Sequence, residues 1–297
     1  MTVTAIIPTT CESSRGPSLR RAILSVVDQI PENGLILIVA NGGRIDESVV
    51  RMAEALPRTR VERLEEASVA KAQQLGRRLV TTEFFCFLDD DDEYLPDAVS
   101  TRLNELLSDP SADVVVTNGF EPVGNNYRMR VELPEAARAD PLRALLRENW
   151  LASCGGFFRT RSVTPDFFDG STCFLEWTLL AYKLASNLVI RFIDVPTYRI
   201  HSSHDSASKS QDYREAQPRV LATIADLDLP PDVRRAVKSK VSNAEHSLST
   251  HFLHQGDWKR AVCHHFKSLG SYAGLKFVPY SRKLLRIRRN TRIVDAE

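Results

Sequence analysis

The stretch Phe84-Phe85-Cys86-Phe87-Leu88-Asp89-Asp90-Asp91-Asp92-Glu93-Tyr94-Leu95-Pro96 decides how this chain is read. Five apolar residues in succession, bounded by polar sequence, are expected to form a strand buried on both faces. Four carboxylates follow at once. They repel one another, and a bound cation relieves that repulsion most directly. Oxygen ligands select hard ions such as Mg²⁺, Mn²⁺ or Ca²⁺, and one or two carboxylates plus a diphosphate is a common way to hold such an ion. If extended geometry continues past Leu88, Asp89 and Asp91 share a face. The competing reading is a solvated acidic turn feeding the next helix, whose N-terminal dipole favours carboxylates.

Outward from this strand, short apolar runs alternate with amphipathic patterns. Residues 3–8 and 35–40 read as buried strands, and residues 61–64 and 113–118 as further strands. Helices are expected over 18–29, over 46–56 with Asp46 as N-cap, and over 68–80 with Ser68 at its start. Another is expected up to Leu107, with Pro96 in its first turn. Such alternation predicts a mainly parallel α/β sheet with helices on both faces. In such sheets ligands bind outside the carboxyl ends of the strands, which draws attention to Thr9-Thr10, Asn41-Gly42-Gly43, the acid run and Asn118-Gly119. The regularity ends near residue 120, where Gly124-Asn125-Asn126 reads as a loop.

Composition narrows the class without choosing the chemistry. The 297 residues are 43% hydrophobic and 26% charged, as in an ordinary globular protein, and the formal net charge of +1 does not suggest a nucleic-acid-binding protein. Five dispersed cysteines form no C-x-x-C pair and fit reduced thiols, so a cytoplasmic location is expected. The first residues show no signal peptide, and no run reaches the ~18 apolar residues of a membrane span.

Several segments, taken in order, resemble family 2 glycosyltransferases of the GT-A fold. The acid-run segment is similar to that family's F-L-D-x-D-D-x-(W/L)-x-P pattern. Ala5-Ile6-Ile7-Pro8-Thr9 resembles the opening strand, and residues 19–29 (LRRAILSVVDQ) resemble L-x-x-(A/C)-(I/L)-x-S-(V/I)-L-x-Q. Residues 68–76 (SVAKAQQLG) resemble G-x-(S/A)-x-A-R-N-x-G. The resemblance covers about residues 3–208. It implies an inverting, metal-dependent transferase that moves a sugar from a nucleotide-diphosphate sugar to a hydroxyl acceptor in polysaccharide or glycoconjugate synthesis, the acceptor being a saccharide or lipid-linked.

Carried over by position, the resemblance implies that Asp89 contacts the ribose and the metal region. Asp91 would ligate Mn²⁺ or Mg²⁺, and Pro8 and Thr9 would lie against base and ribose. Asp90 joins the nucleotide-sugar contacts, although it and Asp92 also shape the turn. Two positions depart from the pattern: Asn41 stands for the base-reading Asp, and Gln73 for the Arg of A-R-N. Both amides donate and accept hydrogen bonds, so a base edge remains readable. UDP is the family's common choice, with dTDP and GDP open.

The general base is expected at the segment Phe174-Leu175-Glu176-Trp177, where the family carries E-D and this chain has one carboxylate, Glu176. Partial shielding by Trp177 would raise its pKa toward a useful value. An acid satisfying the helix dipole is the plainer alternative. Tyr198-Arg199-Ile200-His201 resembles the loop that closes the family's catalytic domain, with Arg199 on phosphate and His201 on metal or diphosphate.

From about residue 212 the pattern is purely helical, giving a GT-A domain over 1–210 and a helical appendage over 211–297. Residues 243–269 resemble one tetratricopeptide-type helix pair, and a single copy is weak evidence for an array. The basic, apolar C-terminal stretch reads as a solvated face or as a peripheral contact with the inner face of a membrane. Two rival functions are a catalytically inactive sugar-nucleotide sensor and a metal-dependent nucleotidyltransferase. The latter would want a Gly-rich loop with a cation after the first strand, for which Arg15-Gly16-Pro17 is a poor match.

Overall fold

The computed structural model describes residues 1–170, 174–201 and 211–284. The chain divides into two compact units, Met1–Asp205 and Ser206–Glu297, each taken by itself below. His204, Cys173 and the arginines from Arg286 onward lie outside the described residues.

The first unit is built on β1 (Val3–Thr9), every residue of which is buried. It lies between β2 (Leu35–Asn41) and β4 (Phe84–Phe87), parallel to both, and β3 (Thr59–Leu64) extends the parallel set beyond β2. Helix α1 (Gly16–Val27) buries Leu19, Ala22, Ile23, Val26 and Val27 against this layer. Helix α2 (Glu47–Glu54) starts at Asp46, which accepts from the Ser48 amide at 2.8 Å. Helix α3 (Val69–Leu79) starts at Ser68, which accepts from the Lys71 amide. On α3, Gly76 meets β1 so closely that a Cβ there would stand 2.5 Å from the Ile6 side chain.

Beyond β4 the sheet is mixed, which corrects the expectation of a mainly parallel one. The order is β3-β2-β1-β4, then β8 (Gly156–Arg159), β6 (Val114–Val123), β9 (Ile190–Arg199) and β5 (Glu93–Tyr94), with β7 (Asn126–Met129) on the outer part of β6. Strand β8 runs antiparallel to both β4 and β6, while β9 is parallel to β6. Strand β7 makes a hairpin with β6 across Gly124, whose φ is +59°. The Gly-Asn pair read as a loop is a hairpin turn, in which glycine supplies the positive φ.

The helix expected to contain Pro96 begins later. Strand β5 (Glu93–Tyr94) pairs with β9, and the Leu95 amide donates to Thr197 O, which keeps the chain extended through Leu95. Helix α4 (Ala98–Ser108) therefore follows a left-handed Asp97. Two short helices, α5 (Pro134–Ala139) and α6 (Pro141–Ala144), precede β8, and α7 (Glu176–Asn187) precedes β9.

Among the described residues the second unit is helical: α8 (Gln211–Ala225), α9 (Pro231–His254), α10 (Trp258–Ser268) and a 3-10 segment, Tyr272–Phe277. Gly256, at φ +80°, turns α9 into α10, and Asp257 caps α10. Leu248, Phe252, Leu253, Ala261 and Leu284 form its small core. No helix among the described residues is long and apolar enough to cross a membrane.

The tight α3–β1 approach yields a stability prediction. Gly76→Ala should lower unfolding free energy by about 1–3 kcal/mol, the usual cost of overpacking a filled core. Gly43→Ala, where a Cβ meets nothing within 4 Å, should shift it far less in the same denaturant titration.

Candidate functional site

Strand order 3-2-1-4 changes direction between β1 and β4, which makes their carboxyl ends a topological switch point. The ladder between them covers Val3 to Ile6, and the Leu88 amide donates to Ile6 O as a last rung. Past that rung the strands separate. Pro8, which lacks an amide hydrogen, falls where β4 no longer needs one, and its register partner is Val39 on β2. Side chains span the gap instead: Thr9 Oγ1 donates to Asp90 Oδ2 at 2.5 Å and accepts from the Cys11 amide at 3.1 Å.

The acid run is a turn and not continued strand, since the Asp92 amide donates to Asp89 O at 3.2 Å. Of the two readings, continued strand or acidic turn, the turn holds, with Asp90 and Asp92 drawn inward, 6% and 4% exposed. Asp92 accepts from the His201 amide at 3.0 Å and from Cys154 Sγ at 3.7 Å. Burial, then the charge of Asp89, pushes the Asp92 carboxyl well above the ordinary range. Asp90 is raised as well by burial, against the opposing Thr9 hydrogen bond and Arg15 charge.

Asp89 and Asp91 are less enclosed. Asp89 Oδ2 accepts from Ser153 Oγ at 2.5 Å, and burial lifts its pKa to about 6 against the effect of that bond. Ser153 is itself held by the interior. The buried Arg102 guanidinium donates to the adjacent Cys154 O at 2.9 Å and lies over the Tyr94 ring, 4.3 Å from its centroid. Asp91, with a side chain 26% exposed, meets Arg15 Nη1 at 3.0 Å, and Arg15 also stands 3.3 Å from Asp90. Arg21 donates to the Asp91 carbonyl at 2.5 Å.

Glu176 opens α7 after Leu175, whose φ is +61°. Trp177, the next residue, packs edge-on against Phe87 at 5.3 Å between centroids, which ties the start of α7 to the end of β4. Burial raises the Glu176 carboxyl to about 7, with the Asp89 charge adding to the rise. The carboxylate named as general base and the acid run therefore occupy one electrostatic neighbourhood.

The amide residues divide. Asn41 Nδ2 donates to Thr9 O at 2.9 Å and its Oδ1 accepts from the Ser68 amide at 3.1 Å, so the side chain braces three loops. Gln73 is 3% exposed on the inner face of α3, and its Nε2 has no hydrogen-bond partner among the described residues. Arg199 and His201 form a separate cluster around Glu93. Arg199 Nη1 lies 2.7 Å and His201 Nε2 3.4 Å from Glu93 Oε1, and His201 Nδ1 lies 3.4 Å from the Tyr127 hydroxyl. Burial lowers the His201 pKa, which favours the neutral ring.

Three contributors escaped sequence reading. Arg15 offered a signal, being a cation in the loop after the first strand. Arg21 looked like an ordinary exposed helix residue, and Ser153 sits in a segment without periodicity. No group of three or more His, Cys, Asp or Glu among the described residues is arranged to hold a metal ion alone.

Comparison with known proteins bears on this geometry. No curated protein matches the chain. Among solved structures, S. aureus TarS 1-349 in complex with UDP-GlcNAc superposes with a TM-score of 0.60 at 14% identity, over 92% of this chain and 93% of that one. The same TarS fragment in complex with UDP gives 0.58 at 14% identity, over 91% of each chain. A longer TarS structure gives 0.56 at 17% identity, over 83% of this chain and 44% of that one. At such identities the likeness is one of fold, and that fold is GT-A-like. Residues 4–174 match the profile of Glycosyl transferase family 2, a span that includes the acid run and stops two residues before Glu176. The chain belongs to glycosyl transferase family 2.

Proposed function

We propose that this protein transfers a sugar from a nucleotide-diphosphate sugar, with UDP as the nucleotide, to a hydroxyl acceptor with inversion at the anomeric carbon. The observation that carries the reading is a partly exposed acid-run carboxylate, Asp91, beyond β4 at the β1/β4 switch point, together with the half-buried Glu176 carboxyl, which feels the charge of Asp89 in the same run. Family membership supports the reaction class, and the TarS structures bound to UDP-GlcNAc and UDP support the donor class.

The donor set suits a divalent cation. Asp91 presents oxygen, retains solvent access and has Arg15 as its charged partner. With no multi-residue cage among the described residues, the rest of a Mg²⁺ or Mn²⁺ shell falls to water and diphosphate oxygens, as Mg²⁺ prefers. When bound, such an ion supplies Lewis-acid stabilisation of the departing diphosphate. Arg15 and Arg21, both in contact with Asp91, would add positive charge to the same group. Asp89, fixed by Ser153, orients the ribose, and Gln73 offers a spare amide hydrogen to the base. Arg199 and His201 hold the Glu93 side and, through the His201 amide, Asp92.

In the chemical step the acceptor oxygen forms its bond to the anomeric carbon on the face opposite the diphosphate. The carbon–oxygen bond to phosphate breaks, and its electron pair leaves with the nucleotide. Glu176 takes the acceptor proton, for which a pKa of about 7 is well matched near neutrality.

Calorimetry against UDP-GlcNAc, with dTDP- and GDP-sugars alongside and Mn²⁺ present, tests the donor. Hydrolysis or transfer of the bound donor tests turnover, and binding without turnover to any acceptor would make the protein a sensor instead. Asp91→Ala should abolish transfer and any Mn²⁺-dependent gain in donor affinity. Glu176→Gln should leave donor affinity within about twofold while lowering kcat by about 10²-fold or more, the usual weight of a general base. Full activity in either variant would remove that residue from the mechanism.

The pH dependence carries a sign. Glu176 acts as the carboxylate, so transfer should rise with pH through about 7 and level off above it. Ionised Asp89 holds that value up, so the limb of the residual activity in Asp89→Asn should move to lower pH. A limb unmoved in Asp89→Asn would show that the two carboxyls do not interact.

A further inference from the structure

We propose that residues 266–283 of the C-terminal unit form a docking surface for an anionic lipid bilayer. This stands independently of the transferase reading. The first observation is charge. Residues 258–294 contain ten Lys and Arg and no Asp or Glu, in a chain whose formal net charge is +1. The remainder of the protein is therefore net acidic, and the basic character is gathered at one end.

The second observation is an apolar edge that faces outward. In a 3-10 segment residues three apart eclipse one another. Tyr272 and Leu275 in Tyr272–Phe277, and Val278 just after it, thus line one edge, 91%, 54% and 48% exposed. Phe266, near the end of α10, is 68% exposed. The inner side of the same segment is fully used. Gly274 is pressed so tightly against the Ser268 carbonyl that a Cβ would collide with it, and the Phe277 ring stacks on His246 with centroids 3.8 Å apart. The outer apolar residues are thus surplus to the fold's own packing.

The third observation joins the two. Lys267, Lys276, Arg282 and Lys283 are exposed beside this edge, and among the described residues none meets a carboxylate. Arg260, by contrast, is paired with Glu215. Lys276 and Lys283 lie over the Phe277 and Tyr280 rings, which leaves their charge unneutralised. Such cations interleaved with outward Phe, Tyr, Leu and Val match a headgroup layer over an acyl boundary, where each exposed cation adds attraction to anionic lipid and each apolar side chain leaves water. Tyrosine suits that boundary because its ring is apolar and its hydroxyl stays wet. A nucleic acid would answer the cations but gives Leu275 and Val278 nothing to pack on. A second copy would bring two strongly cationic segments together.

The test uses the full chain. Vesicles of phosphatidylcholine, alone or with about a third phosphatidylglycerol, are sedimented with the protein, and only the anionic ones should retain it, with release at high salt. Lys276→Glu and Lys267→Glu should each weaken partitioning by roughly fivefold or more. Leu275→Ser and Tyr272→Ser, which leave the charge untouched, should weaken it as well while thermal melting and donor affinity stay as in the parent. Tyr272→Trp should show a blue-shifted emission when anionic vesicles are added. Absence of vesicle binding overturns the proposal. So does binding that ignores Leu275→Ser and Tyr272→Ser but yields to RNA or heparin, which would mark a general polyanion site. A concentration-dependent dimer abolished by the same substitutions would reassign the edge to a contact between copies.

Discussion

Four adjacent carboxylates at a buried strand end are tolerable only because each finds its own donor. Thr9 serves Asp90, Ser153 serves Asp89, the His201 amide and Cys154 serve Asp92, and Arg15 serves Asp91. Those donors come from the ends of β1 and β9, from the segment before β8 and from the start of α1. Satisfying the acid run therefore draws together elements far apart in the chain. An ionised carboxylate left without such partners in the interior would cost several kcal/mol or take up a proton. Burial leaves the carboxyls of Asp89, Asp90 and Asp92 above their ordinary range despite these donors, a bias that added positive charge would offset.

That bias is what marks the place as a candidate site. A fully neutralised cluster would have little affinity for a cation or for arginine. Here Asp91 keeps solvent access, and Asp89 passes part of its charge effect to Glu176. The buried Arg102, fixed between the Tyr94 ring and Cys154 O, holds the Ser153 segment in place. Perturbed carboxyls gathered in a switch-point crevice are the pattern expected of a functional site.

Much of this was legible in residue order. The strand of residues 84–88 and its acid run, the caps at Asp46 and Ser68, and the buried faces of α1 and α3 follow from local hydrophobic period and capping chemistry, which act within a few residues. The mixed half of the sheet was not legible. Strand β8 is four residues with no alternation, and its direction is set by where the chain returns after α6. Residue order left extended chain and turn both open at residues 89–92, because what decides between them, the pull of Thr9, His201 and Cys154 on Asp90 and Asp92, is tertiary. The contacts of Arg15 and Ser153 with the acid run depend on partners 76 and 64 residues away along the chain.

The sequence by itself determined the family, the parallel half of the sheet and the end of it at which a ligand is expected. The family rests on the resemblance of several ordered segments, and the strands rest on apolar runs and spacing within short windows. The tertiary structure alone decided how the opening four aspartates divide their work. Asp90 and Asp92 are bound inward, Asp91 remains available, and Asp89 couples to Glu176. Identical side chains in one run differ only in their surroundings, and desolvation and distant donors are properties of the folded chain.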